Sequence, residues 1–282
     1  DDTQLQASFS PDESSTRAAL RVLESCCDET KSWMAVNRLN LNDSKTEAIL
    51  CGPPMLRHKV PAEHVQVGDA TIRFSDVVRD LGVVVDSDLD MTAHISSVVR
   101  SCYFHIRSLG KLRPNLTKAA ANTIAVSLIL SRLDYCNSVL WGLPATQLYR
   151  LQKVQNAAAR IVTRTKPTEH ITPVLKQLHW LPVNQRINHK ILSLTYKCLH
   201  NTAPEYLKEL ITPYVPARCL RSSSSSRLAI PGYYDNTNKK KSGVRSFRNA
   251  APLLWNSLPE ALRTAPSIAA FRAGLKTHLF LD

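Results

Sequence analysis

MTAHISSVVRSCYFHIRSLGKL, residues 91–112, is where the chain changes its period. Ile95, Val98, Val99, Cys102, Phe104, Ile106 and Leu109 recur at helical spacings, so one apolar face is expected to run from Ile95 to Leu109. Everything downstream keeps that period. Thr117 is placed to cap AAANTIAVSLILSRLDYC, QLYRLQKVQNAAARIVTR follows Pro144, and VNQRINHKILSLTYKCLH follows Pro182. PEYLKELI adds a short helix. RSSSSSR and DNTNKKKSG read as loosely ordered chain before order resumes in SFRNAAPLLWNSLPEALRTAPSIAAFRAGLKTHLF, as a short helix and a longer terminal one.

Upstream of Met91 the pattern is mixed. Residues 11–41 read as a helix capped by Asp12, Ser14 or Ser15, with Leu20, Leu23, Cys27, Trp33 and Val36 on its apolar face. A short strand is expected from Thr46 to Cys51. HVQVGDATIRFS is a hairpin signature, alternating Val65 and Val67 with Ile72 and Phe74 around a Gly68-Asp69 turn. LGVVVDSDL adds another strand, and together these predict a helix on a small antiparallel sheet. The fold class is α+β: residues 1–90 mixed, 91–218 mainly helical, 219–245 a flexible basic loop, and 246–282 a helical close.

Charge divides the chain as sharply as period does. Residues 1–100 hold 10 Lys/Arg against 16 Asp/Glu, whereas 101–159 hold 7 against 1 and 160–250 hold 16 against 4. An acidic head on a basic middle favours a polyanionic partner, because phosphate binding releases counterions. Arg150, Lys153, Arg160 and Arg164 lie beside the apolar Leu151, Val154, Ala158 and Ile161 on one helix. With Arg132, Lys176, Arg186, Lys190 and the run Lys239, Lys240, Lys241, they are candidates to line an RNA or DNA backbone channel. The competing reading is an inert or protein-binding helical scaffold with a solvated basic surface.

Trp141, Trp180 and Trp255 sit in apolar settings and read as core rather than as base-stacking platforms, and Tyr135 reads as core packing beside Asp134. Seven cysteines, spread without a CxxC pair, indicate reduced thiols in a nuclear or cytoplasmic setting and argue against a zinc site. No apolar run is long enough to cross a membrane, so no membrane partner is expected. Ser-His-Asp, Walker-type and dinucleotide signatures are absent from the sequence, which excludes the commonest enzyme classes.

Several long segments resemble a known family. DDTQL, WMAVNRLNLNDSKTEAIL and VVRDLGVVVDSDLDM are similar to the last part of the reverse transcriptase domain of vertebrate non-long-terminal-repeat (LINE-type) retrotransposons. SRLDYCNSVLWGLP, LQKVQNAAARIVT, LHWLPVNQRINHKILSLTYKCLH and FRNAAPLLWNSLPEAL resemble the region that follows it. The resemblance implies a palm remnant over 1–90, then a thumb-like helical region. It matches Asp1 and Asp2 to the end of the aromatic-Ala-Asp-Asp tetrad, with Asp1 as the metal-binding carboxylate. Lys45, in the segment with Asn40, Leu41, Asn42 and Thr46, would approach the triphosphate. The parent activity would be RNA-templated DNA synthesis with Mg2+. The opening DDTQLQASFS reads as a cut end, so the chain is expected to be a truncated C-terminal fragment. Without an earlier palm aspartate and the fingers, the chain alone is expected to be inactive and to bind no cofactor.

Overall fold

The computed structural model of the chain describes residues 3–42, 45–215, 226–231, 243 and 245–281. Two units emerge, Asp1–His94 and Ile95–Asp282, and the division falls in the first turn of the helix Thr92–Leu112 (α3).

In the first unit, α1 (Glu13–Val36) begins at Asp12, whose carboxylate accepts the Ser15 N–H at 2.8 Å. Strands follow at Ala48–Ile49 (β1), His64–Val67 (β2), Ala70–Ser75 (β3), Val77–Asp80 (β4) and Val83–Asp86 (β5), with a one-turn helix α2 (Pro54–Arg57) after β1. β2 and β3 form the hairpin expected from the sequence, turning at Gly68-Asp69, where Gly68 takes φ +57°. Val65 and Val67 point into the core and their neighbours do not, as a period of two requires. β1 pairs with β3 in parallel, so the sheet is mixed and has the order β1-β3-β2.

β4, which the sequence reading did not separate from its surroundings, forms a second hairpin with β5. Its two-residue turn, Leu81-Gly82, has both φ angles positive, a demand that Gly82 meets easily and Leu81 meets at a cost. Each sheet has an edge closed by a glutamate. Glu24 of α1 accepts the Gln66 N–H of β2 at 3.1 Å, and Glu47 accepts the Arg79 N–H of β4 at 2.9 Å.

The apolar face expected of α1 is only partly used. Leu20, Leu23 and Cys27 are half-buried, but Trp33 is 60% and Val36 84% exposed. In its last two turns Thr30, Lys31 and Met34 remain half-buried, with Lys31 beside Gly68 of the β2–β3 turn, while the Trp33 and Val36 side chains face outward.

His94 closes the unit's core. It is buried, and its Nδ1 accepts the Val84 N–H at 3.3 Å, which requires a neutral ring at that nitrogen. Burial holds its imidazole below the ordinary histidine range. His189 in the second unit is lowered in the same sense by burial, then by the charge of Arg272, with Lys276 and Arg186 adding to it. A lowered histidine pKa means that the unfolded chain binds more protons. The stability each contributes is therefore complete above about pH 6.5 and is lost as pH falls toward the lowered value. The melting temperature is expected to drop between about pH 7 and 5, and a His94→Asn/His189→Asn chain to show a shallower drop over the same window. Equal slopes in the two proteins would assign the acid sensitivity elsewhere.

The second unit is helical throughout apart from one isolated bridge among the described residues. Its elements after α3 are α4 (Lys118–Ala125), α5 (Ser131–Asp134), α6 (Ala145–Thr163), α7 (Ile171–Gln177), α8 (Val183–Leu199), α9 (Glu205–Lys208), α10 (Phe247–Ser257), α11 (Glu260–Arg263) and α12 (Ile268–Leu281). Thr117 caps α4 through its Oγ1, and Pro144 and Pro182 sit at the N-caps of α6 and α8, where their missing N–H is not needed. α7 carries Pro173 within its first turn, the one part of a helix where a proline imposes no lost hydrogen bond.

The helical run capped by Thr117 continues unbroken from Lys118 to Asp134, close to the expected span, but it is not α-helical throughout. Val126–Leu130 is a π-helical turn between α4 and α5, and Cys136, with φ 48°, ends the run. Widening the turn releases carbonyls, and side chains collect them. Ser131 Oγ donates to Ser127 O, Arg132 Nη1 donates to Leu128 O at 2.7 Å, and the Cys102 thiol lies 3.8 Å from Ile129 O. Burial pushes the Cys102 thiol up to about 11, so it stays protonated and able to donate.

α8 is the centre of this unit, burying Ile187, Ile191, Leu192 and Tyr196 against α10 and α12. Tyr196 stacks on Phe271 with ring centroids 4.7 Å apart and donates its hydroxyl to Ala265 O at 2.9 Å. Trp255 and Trp180 are buried, as their apolar settings predicted, and Trp141 is half-buried. Tyr135 is a correction. As the extended C-cap of α5 its backbone leaves the helical register, and its side chain is exposed rather than in the core.

Within the span read as a flexible loop, residues 226–231 are pinned. Leu228 is buried and pairs with Pro213, while the Asn256 amide holds both the N–H and the C=O of Leu228 at 2.9 and 2.8 Å. Most of the remainder of that span lies outside the described residues.

Candidate nucleic-acid interface

The basic residues expected to meet phosphate fall into two groups. The lysines are solvated: Lys153 on α6, Lys176 on α7 and Lys190 on α8 are all exposed, with the Lys153 ammonium 4.7 Å from the centre of the Tyr149 ring. The arginines are engaged within the fold. Arg132 reaches Ser101 of α3 at 3.1 Å as well as Leu128 O. Arg150 donates to Gln147 at 3.0 Å and to Ser96 at 2.9 Å. Arg186 forms a two-pronged pair with Asp134, its Nε 2.7 Å from Oδ1, joining α8 to α5.

Arg160 and Arg164 gather at the C-terminal end of α6, where the helix presents unpaired carbonyls and the negative end of its dipole. Arg160 donates to Glu169 O at 3.0 Å. Arg164, in the left-handed conformation at φ 59°, donates to Arg113 O at 3.1 Å and Pro114 O at 3.2 Å. Arg113, a residue the sequence reading passed over, completes the group. Its buried guanidinium donates to Ile161 O at 2.9 Å, Val162 O at 2.8 Å and Leu116 O at 2.7 Å. Proximity to Pro114 was its only sequence signal, and that does not reveal a partner 48 residues away.

Lys239, Lys240 and Lys241 lie outside the described residues, as do Asp1 and Asp2. Of the three residues that the resemblance places in a catalytic centre, only Lys45 is described. It is exposed, with its N–H bonded to Asn42 O at 3.0 Å. Among the described residues no group of three or more His, Cys, Asp or Glu is placed to hold a metal ion. No helix among them is long and apolar enough to cross a membrane. The cysteines described, at 26, 27, 51, 102, 136 and 198, are free thiols.

The structural division sharpens the electrostatic one. Residues 1–94 carry 9 Lys/Arg against 16 Asp/Glu, and residues 95–282 carry 27 against 7, so net charges of −7 and +20 belong to separate units. Compared with models of known protein families, with curated proteins and with solved structures, the chain matches none.

Proposed function

We propose that the helical unit binds the RNA or DNA backbone through phosphates with little sequence preference, in a chain descended from a non-long-terminal-repeat retrotransposon reverse transcriptase. The ancestry rests on the sequence segments that resemble that family. The binding rests on one observation: a net charge of +20 confined to the helical unit, with Lys153, Lys176 and Lys190 free of the internal bonds that occupy the arginines. Lysine on a helix surface meets phosphate as a point charge and reads no base. The reading assigns no catalytic step to this chain.

Fluorescence anisotropy of labelled random-sequence duplexes across a salt series tests it. Six neutralised phosphates give a slope of log affinity against log salt of roughly −5. Lys153→Gln/Lys176→Gln/Lys190→Gln, a change that keeps helix propensity, is expected to flatten the slope by about 2.7 and to weaken binding equally for all sequences. A folded chain that shows no binding at about 50 mM salt, or one whose affinity ignores salt, would leave the scaffold reading in its place.

A further inference from the structure

Phe104 belongs to the apolar pattern that announces α3, yet the structure puts it on the opposite side of that helix from the core. Ile95, Cys102, Ile106 and Leu109 are buried, while Phe104 is 62% exposed. Its neighbours on the outer face, at i−4, i+3 and i+7, are Arg100, Arg107 and Lys111, and all three are exposed. Arg100 and Lys111 make no hydrogen bond or ion pair among the described residues. Arg107 spends one N–H on Tyr103 O at 3.3 Å and keeps the rest of its guanidinium outward. No Asp or Glu occurs between residues 91 and 133, so no local acid neutralises the face.

We infer that this face, Arg100–Phe104–Arg107–Lys111, is a track for a single nucleic-acid strand, with Phe104 as the platform on which one unpaired base stacks. The inference rests on the phosphate-binding reading above and adds a strand preference to it. Three cations in line on one helix face match a phosphate backbone. At 1.5 Å rise per residue the stripe spans about 16 Å, room for a few consecutive phosphates. An aromatic ring standing among those cations meets the bases between them. Bases in a duplex are already stacked on each other, so the ring gains only with an unpaired strand. Phe104 meets the His105 ring edge-on, with centroids 5.3 Å apart, and its long neighbours one and two turns away on this face, Arg100, Arg107 and Lys111, are cationic. A protein partner would need more apolar surface than this ring and the exposed Leu112 beyond it.

The test uses the full chain, an oligodeoxyadenylate, and the duplex of that strand with oligodeoxythymidylate. Phe104→Ala is expected to weaken single-strand binding by about 5- to 100-fold and duplex binding hardly at all, with the salt slope unchanged. Phe104→Trp is expected to keep or tighten single-strand binding. Arg100→Gln/Arg107→Gln/Lys111→Gln is expected to weaken both forms and to flatten the single-strand slope by about 2. A Phe104→Ala chain that binds the single strand as the parent does, or loses both forms alike, overturns the inference and leaves backbone binding standing. So does a folded Phe104→Trp chain that loses the single strand. If the folded parent binds neither form at low salt, the proposed function falls and the strand track falls with it.

Discussion

Arg113→Ala is expected to destabilise the helical unit by about 3–5 kcal/mol, a large share of the stability of any domain. The side chain is buried, and its guanidinium is the hydrogen-bond partner of the Ile161, Val162 and Leu116 carbonyls. Two of those carbonyls belong to the last turn of α6; Ile161 O also takes a long bond of 3.4 Å from the Arg164 N–H, and the Arg113 guanidinium is its closer donor at 2.9 Å. Alanine removes a charge-assisted donor and leaves the acceptors buried beside a cavity, so the lost bonds and the desolvation penalty act together.

Lysine separates charge from geometry at this position. One ammonium cannot span carbonyls on both sides of a planar fork, so Arg113→Lys is expected to recover less than half of the loss. For a unit of this size the alanine variant should melt about 10 °C lower. Chemical denaturation followed by tryptophan fluorescence and circular dichroism measures both variants. A loss below about 1 kcal/mol for Arg113→Ala would mean that water serves those carbonyls equally well.

Trp255→Ala should cost a similar amount by a different route. Trp255 is fully buried, its ring centroid lies 5.7 Å from that of Phe271, and its indole N–H donates to Ser226 O at 2.8 Å. Truncation opens a cavity between α10 and α12 and costs about 3–5 kcal/mol. Trp255→Phe keeps an aromatic ring but removes the donor to the Ser226 carbonyl, and is expected to cost about 0.5–1.5 kcal/mol, since Ser226 is exposed and water can replace the indole. It should also increase proteolysis in the stretch around Leu228, because Trp255 and Asn256 together hold that stretch to α10. Limited proteolysis with mass spectrometry reads the local effect, and urea melts read the global one. Equal local and global effects would show that residues 226–231 unfold only with the whole unit.

These two residues also mark where sequence reading stops. Helix starts were legible because their signals are local: Asp12, Thr117, Pro144 and Pro182 each sit at the N-cap. The Gly68-Asp69 turn was legible for the same reason, with alternating residues on either side fixing which face each strand buries. Partnerships across long separations were not. Nothing local in Arg186 announces Asp134, 52 residues away, or tells Arg160 that its donors will go to the chain after α6.

The candidate interface shows the same limit. The sequence lists arginines and lysines side by side as phosphate ligands, and only the structure shows that the planar forks also bond carbonyls and a carboxylate within the fold while Lys153, Lys176 and Lys190 stay exposed. Phe104 was misread. Its spacing is close enough to helical to pass as core, and only a helix with known neighbours reveals that it faces outward. α7 has no local start signal of the kind Thr117 or Pro182 gives: its N-cap His170 makes no side-chain capping bond, and Pro173 falls inside its first turn.

Glu24 and Glu47 give the first unit a property that its strands alone lack. A short sheet with an open margin is a template on which another extended chain can add itself, and repeated addition builds a fibre. Here one N–H on β2 and one on β4 are already taken by carboxylates from outside the strands, and a negative charge stands where an incoming backbone would have to lie. At these two margins the obstacle to edge-to-edge growth is a side chain from outside the strand, one on a helix and one in a connection, and not a β-residue.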